Sequence, residues 1–302
     1  MTRRYQTAAE IGGHLDQPQP GRNWIDRFGT LPQHDRWVYA AAGCLLLVYL
    51  SLTWYLRIPA VTTGNDDATY LHLARAVSHF NYRELWIVGE PVHSHYPPFY
   101  PIILAAVGFF SGYRLDALLI VNHLLVMAAL WLMFDAVRRL WSPGLALLML
   151  AMLVVNPGLV LLGGRIMSEA PYLALSCLVL WIPTRTSTNR TWVGVAFCAA
   201  AILAALTRSA GITLLAAVFL LWALDRRWRA LGAFTLASSI LVGSWLTMTA
   251  LAPHEVHGAL SYVADAVRGP ADRGMLFTLV ERLATRLPDY LAQVLAWELP
   301  LP

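Results

Sequence analysis

The sequence predicts an all-α polytopic membrane protein with about seven transmembrane helices and a long first external loop. Of its 302 residues, 58% are hydrophobic and only 13% are charged, whereas soluble domains carry about 25% charged residues. Twelve tryptophans and twelve tyrosines supply the aromatic side chains that collect at membrane interfaces. The charge-poor runs, of which the fourth to sixth are short for a span, cover residues 38–56, 117–134, 143–163, 170–183, 192–207, 210–224 and 231–251.

The positions of the arginines predict which ends of these runs face the cytoplasm. All 22 basic residues are Arg, a bias typical of high-GC bacterial genomes. With a cytoplasmic N-terminus, the outside turns hold only Arg165 and Arg208, which fits the positive-inside rule. The inside loops then hold seven arginines, at positions 138, 139, 185, 190, 226, 227 and 229. The sequence therefore predicts a protein of the bacterial inner membrane with its active face on the periplasmic side.

A further apolar run, 98–112, is only 15 residues long, and counting it as a span would reverse the arginine bias. We therefore expect a short interfacial helix inside an external loop of residues 58–116. The same loop predicts a helix over 66–80, capped by Asn65, whose stripe of Tyr70, Leu73 and Val77 indicates an amphipathic helix along the membrane surface.

The remaining segments complete the organisation. Residues 1–37 are predicted to form a flexible cytoplasmic arm, and residues 252–302 an external amphipathic segment, on either side of a transmembrane module at 38–251. The sequence Asn156-Pro157-Gly158 predicts a kink or a short re-oriented piece near the outer end of the third run.

Three polar clusters fall on the predicted outer face. They are Asp66 with Asp67, Arg165 with Glu169, and Arg208. Charged side chains at the ends of spans that face one surface often mark a functional site. Two carboxylates beside arginines suit a reaction with a hydroxyl nucleophile and an anionic leaving group. The arginines are scattered along the chain rather than massed on one face, which argues against a nucleic-acid partner.

Four segments occur in an order that carries a family resemblance. They are DDATYLHLAR (66–75), PPFYPIILAAVGFF (97–110), LLMLAMLVVNPGLVLLGGRIMSEAPYLAL (147–175) and LTRSAG (206–211). From about Val38 to Pro253 the chain resembles the membrane-embedded GT-C glycosyltransferases, in particular the protein O-mannosyltransferase and aminoarabinose transferase branch.

The resemblance implies transfer of a sugar from a polyprenyl-phosphate carrier to a lipid, glycan or protein acceptor at the external face. It implies that Asp66 is the catalytic base and that Asp67 supports it, although the family commonly has Glu at the second position. Glu169 would contact the acceptor, a metal or the first loop. Arg165 and Arg208 would hold the carrier phosphate, with Tyr70 and His95 among the substrate-binding residues, since guanidinium groups offer forked donors to phosphate oxygens. One base and a displaced phosphate predict inversion at the sugar carbon.

The sequence requires no cofactor, and a divalent metal is an open possibility. His93 and His95 are two residues apart, so an extended backbone places them on one side, where Glu169 or Asp67 could join them as ligands. Within the second run, Asn122 and His123 are expected to find partners between helices rather than in the site.

Two other functions stay open. One is a transporter or lipid-carrier flippase, although such proteins tend to show internal repeats and polar groups at mid-membrane, and here the charges gather at outer ends. The other is a non-catalytic, truncated member of the glycosyltransferase fold, because relatives usually continue beyond the length of this chain.

Overall fold

The computed structural model describes residues 33–57, 61, 66–185 and 191–251. Within these ranges the chain is helical apart from turns and one isolated bridge between Arg83 and Val92, so the predicted all-α class is confirmed. The helices are α1 Gln33–Tyr55, α2 Asp66–Ser78, α3 Phe99–Ser111, α4 Leu115–Leu140, α5 Pro143–Val154, α6 Pro157–Gly163, α7 Glu169–Arg185, α8 Thr191–Ala205, α9 Ile212–Leu224 and α10 Trp228–Leu251.

Three helices in the described ranges are long and apolar enough to cross a membrane, in α1, α4 and α10. The pair α5 and α6 makes a fourth if it counts as one span with a bend of 66°. Helices α8 and α9 have only 15 and 13 residues, so the count of seven stays a prediction. Helix α1 begins at Gln33, inside the predicted arm. The rest of that arm, residues 1–32, the Asn65 cap and the segment 252–302 lie outside the described residues.

The bend between α5 and α6 falls at Asn156-Pro157, as the sequence predicts. Pro157 has no backbone N–H to continue the helix, and the Asn156 side chain accepts a hydrogen bond from Leu159 N at 3.2 Å to start α6. Tyr49 of α1 donates its hydroxyl to Leu159 O at 3.0 Å. These two bonds cap the start of α6 and tie it to α1.

The apolar stripe of helix α2 packs against protein, whereas its amphipathic pattern predicts a helix along the membrane surface. Tyr70, Leu73 and Ala74 are buried, and Tyr70 and Ala74 share a core with Tyr100 and Leu104 of α3. The pattern correctly locates the buried face, but the short helix α3 covers it instead of lipid. Helix α3 has 13 residues, or roughly 20 Å, which is too short for a span, and its external position stays a prediction.

The C-terminal ends of α4 and α7 lie together around a buried carboxylate, that of Asp135. Asp135 accepts hydrogen bonds from Arg138 at 3.0 Å, Arg139 at 2.9 Å and the Trp181 indole at 2.8 Å, and Arg185 lies 3.6 Å away. The arginines predicted to share one side of the membrane at positions 138, 139 and 185 therefore do lie together.

Candidate active site

Three connecting segments converge at the other end of the bundle. The start of α3 is tied to the end of α8 by a hydrogen bond from Phe99 N to Leu206 O of 3.0 Å. Asn122 of α4 donates its side-chain amide to the carbonyl of Arg165, and Tyr100 donates to Asn122 Oδ1 at 3.0 Å. Asn122 is thus bonded between helices, as the sequence analysis expects, and it fixes the turn that carries Arg165 against α3.

Asp66 and Asp67 open α2 but occupy different surroundings. The Tyr96 hydroxyl donates to Asp66 Oδ1 at 2.6 Å, and the first turn of a helix favours a negative charge. Asp67 lies on the buried face of α2, three residues before Tyr70, and is only 8% exposed. Its Oδ1 accepts from Ala68 N at 2.9 Å. Asp66 is therefore the more accessible of the two carboxylates.

A chain of side chains joins α2 to the turns before α7 and after α8. Tyr70 donates its hydroxyl to Ser168 Oγ at 2.7 Å, and Arg208 Nη1 donates to the same oxygen at 3.2 Å. Arg208 also forms an ion pair with Glu169 Oε1. Burial raises the pKa of Tyr70 well above its ordinary value, against the opposing effects of the Ser168 hydrogen bond and the Arg208 charge. The phenol is a neutral donor at physiological pH.

Aromatic rings form the wall between these polar groups. The Tyr70 ring centroid lies 4.7 Å from that of Tyr96 and 4.9 Å from that of Tyr100. His95, which is partly exposed, packs edge-on against Tyr96 at 4.6 Å. Such packing limits the rotamers of Tyr96, which in turn holds Asp66 in place.

His93 faces away from this chemistry. Its Nε2 accepts the backbone N–H of Tyr96 at 2.9 Å, so its Nδ1 carries the proton that is donated to Glu84 Oε1 at 2.7 Å. Burial lowers the pKa of His93 to about 3, which agrees with a neutral ring. Both ring nitrogens are occupied, so His93 orders the 82–96 segment and is not free to bind a metal.

The predicted metal ligands do not assemble into a metal centre. Among the described residues, no three His, Cys, Asp or Glu side chains are grouped closely enough to hold an ion. Glu169 Oε2 is buried and has no hydrogen-bond partner there, but a single carboxylate oxygen is a poor metal site. The arrangement does not fit a metal, and no step below is routed through one.

Two groups at this end of the bundle stay available for a ligand. The Arg165 side chain is exposed and forms no ion pair with a described residue, while its backbone is anchored by Asn122. Arg208 is 35% exposed at its side chain and keeps donors beyond those used for Ser168 and Glu169. An anion bound here would contact the Arg208 guanidinium, which Ser168 and Glu169 orient, and the Arg165 guanidinium, whose backbone is bonded to Asn122.

The sequence-predicted residues are partly brought together. Asp66 and Tyr70 share α2, and Tyr70 is linked through Ser168 to Arg208 and Glu169. The sequence did not predict Tyr96 or Glu84 as functional partners. Tyr96 bonds to Asp66, 30 residues earlier in the chain, and Glu84 bonds to His93. No local spacing of a tyrosine or a single glutamate in a loop indicates such bonds.

No protein-family model matches the sequence, and no curated protein matches it at a significant level. The structure is similar to that of ArnT from Cupriavidus metallidurans in the apo state, with a TM-score of 0.54 and 17% identity over 88% of this chain and 52% of that one. The same protein bound to undecaprenyl phosphate gives 0.54 and 16% over 85% and 51%.

A third structure, the Archaeoglobus fulgidus oligosaccharyltransferase in the apo form, has a TM-score of 0.49 with 16% identity, over 93% of this chain and 40% of that one. At these identities the ArnT likeness establishes a shared fold, which confirms the resemblance to GT-C folds. The chain spans about half the length of the ArnT structures that it matches.

Proposed function

We propose that this chain is an integral-membrane glycosyltransferase that moves a sugar from a polyprenyl-phosphate carrier to an acceptor hydroxyl at the face where α2, α3 and the 165–169 and 206–208 turns meet. The fold of ArnT, which has been captured with undecaprenyl phosphate, supports a carrier of this class. The observation on which the proposal depends is the Tyr70–Ser168–Arg208–Glu169 chain, because it sets a guanidinium at a defined position beside the helix that opens with Asp66.

The transfer is a single displacement at the anomeric carbon. The acceptor oxygen forms the new C–O bond while the bond from that carbon to the carrier phosphate oxygen breaks, and the electron pair leaves with the phosphate. The acceptor proton passes to the Asp66 carboxylate. The products are a glycosylated acceptor, a free polyprenyl phosphate and protonated Asp66, and the sugar carbon inverts.

Each neighbouring side chain has a role that its contacts support. The Tyr96 hydroxyl orients one oxygen of Asp66, which leaves the other for the acceptor proton. Arg208, oriented by Glu169 and Ser168, stabilises the charge that develops on the leaving phosphate, and Arg165 adds a second guanidinium. His95 and Tyr70 contribute to the wall beside the sugar, and Asp67 supports α2 from its buried face.

The flippase alternative gains one observation, the broken helix pair α5–α6. In transporters such breaks expose backbone groups to a substrate cavity. Here Asn156 caps the start of α6 and Tyr49 bonds to Leu159 O, so both polar backbone groups of Leu159 have protein partners. The glycosyltransferase function therefore accounts for more of the described contacts.

The experiment uses the full chain reconstituted in liposomes with a panel of polyprenyl-phosphate sugars and measures release of polyprenyl phosphate. Asp66→Asn is expected to reduce turnover by about 10³-fold or more, because the amide cannot take up the acceptor proton. Glu90→Gln, which removes an exposed carboxylate from the same external loop, is the matched control and should leave turnover unchanged.

Turnover that persists in Asp66→Asn would remove Asp66 as the base, and the same assay with Asp67→Asn then tests the neighbouring carboxylate. Analysis of the anomeric configuration of the product checks the displacement itself, because a retained configuration contradicts a single displacement. Carrier translocation without any sugar transfer would favour the flippase instead.

A further inference from the structure

A ligand-sized groove opens at the end of the bundle away from the candidate active site. It has a volume of about 1050 Å³ and runs along α8 and α10. Its lining along α8 extends from Thr191, at the start of that helix, to Leu203, whereas Leu206 adjoins the candidate active site. The wall is almost entirely apolar, with Gly194, Cys198, Phe234 and Ala237 among its residues.

Three arginines lie at the mouth of this groove, which is the part lined by residues 226–229. Arg226, Arg227 and Arg229 all line it. Arg227 is paired with Asp225 at 3.4 Å, whereas Arg226 and Arg229 are exposed and bond to no other side chain in the described part of the chain. The mouth thus carries two uncompensated positive charges above an apolar cavity.

The Trp222 side chain forms part of the wall of the groove and is 3% exposed. Its indole Nε1 is buried and has no acceptor among the described residues. The rings of Phe197 and Phe234 pack against the indole, with centroids 6.2 and 5.8 Å away. Trp222 therefore supplies an apolar surface to the groove.

The backbone at Arg226 adds an independent observation. The turn after α9 closes with hydrogen bonds from Arg227 N to Trp222 O at 2.9 Å and from Arg226 N to Ala223 O at 3.1 Å, and Arg226 has a φ of 56°. Glycine is the usual residue at this left-handed position, since it adopts the conformation without strain. An arginine at this position is therefore conformationally less favourable than a glycine.

We propose that this groove binds an anionic phospholipid. The phosphate of the headgroup would lie among Arg226, Arg227 and Arg229, and an acyl chain would fill the apolar cavity beside Trp222. Basic pockets between transmembrane helices are known sites for such headgroups. The arginine census predicts that this end faces the cytoplasm, where basic side chains near the surface attract anionic lipid.

The test measures lipid selectivity of the full chain in bilayers that mix phosphatidylglycerol and phosphatidylcholine, read from the lipid retained in native mass spectra. The wild type is expected to retain phosphatidylglycerol preferentially. Arg226→Gln with Arg229→Gln should reduce that preference by about fivefold for each arginine. The control, Arg75→Gln with Arg114→Gln, removes the same charge from the external loop region and should retain the wild-type preference.

Two more variants separate a lipid site from a structural role. Arg226→Gly should raise the melting temperature, because glycine suits the left-handed turn, and should still reduce phosphatidylglycerol preference by about fivefold. Ala233→Trp fills the groove without touching a charge and should reduce retention of the anionic lipid. Equal retention of both lipids by the wild type, or unchanged preference in the double arginine variant, overturns the proposal. A lipid-free dimer whose contact is broken by Ala233→Trp overturns it too.

Discussion

The Tyr70–Ser168 hydrogen bond allows a double-mutant cycle whose outcome follows from burial. Tyr70 is 2% exposed and its hydroxyl donates to Ser168 Oγ at 2.7 Å. In Tyr70→Phe the phenol is lost, but Ser168 still accepts from Arg208, so no buried group is left unsatisfied. The expected loss of unfolding free energy is about 1 kcal/mol, the net worth of one hydrogen bond. The ring contacts with Tyr96 and Tyr100 are retained.

Ser168→Ala is the more damaging half of the cycle. It leaves the buried Tyr70 hydroxyl without its acceptor, and the desolvation penalty brings the expected loss to about 2 kcal/mol. The double variant removes donor and acceptor together and should lose about 2 kcal/mol rather than the sum of about 3 kcal/mol. The coupling energy is therefore about 1 kcal/mol.

The assay is chemical unfolding of the full chain in mixed micelles, with release of polyprenyl phosphate as a second readout. Tyr113→Phe is the control, because Tyr113 donates to Ala74 O at 3.2 Å on the same helix without contacting Ser168. Its effect should add to that of Ser168→Ala within about 0.5 kcal/mol. Additive effects of Tyr70→Phe and Ser168→Ala would refute the reasoning that these hydroxyls join α2 to the Arg208 turn.

Two further predictions concern stability. Gly163→Ala should reduce the free energy of unfolding by about 1–3 kcal/mol, because a Cβ there would lie 2.5 Å from the Tyr49 hydroxyl. The control Gly144→Ala, with open space around it, should be neutral or stabilising by up to about 1 kcal/mol. Equal effects of the two substitutions in thermal unfolding would contradict this. The His93 pKa falls from 6.5 unfolded to about 3 folded, so its contribution is complete above pH 6.5 and is lost as the pH falls. The stability advantage of the wild type over His93→Gln should therefore shrink by about 2 kcal/mol between pH 6.5 and about pH 5, and a constant difference would show that His93 is not held neutral. Glu84, whose pKa is raised by burial, acts in the opposite sense and is present in both proteins.

Local patterns were enough to predict the helical membrane class, the bend at Asn156-Pro157 and the apolar stripe of α2. Each depends on properties that neighbouring residues carry themselves: apolar length, a proline without N–H, and the spacing of apolar side chains around a helix. The arginine census likewise placed Arg138, Arg139 and Arg185 on one side, where Asp135 holds them together. The fold class and the polar ends of the helices are thus readable from composition and periodicity.

Tertiary structure decided what those elements contact. The apolar stripe of α2 could face lipid or protein, and only the position of α3 makes it a protein core. The Tyr96–Asp66 and Tyr70–Ser168 bonds join residues 30 and 98 positions apart, and no local pattern encodes which hydroxyl reaches which oxygen after packing. His93 was a metal candidate by spacing, yet Glu84 and the Tyr96 amide occupy both of its nitrogens. Residue types and helices follow from local chemistry, whereas hydrogen-bond partners depend on how distant segments pack.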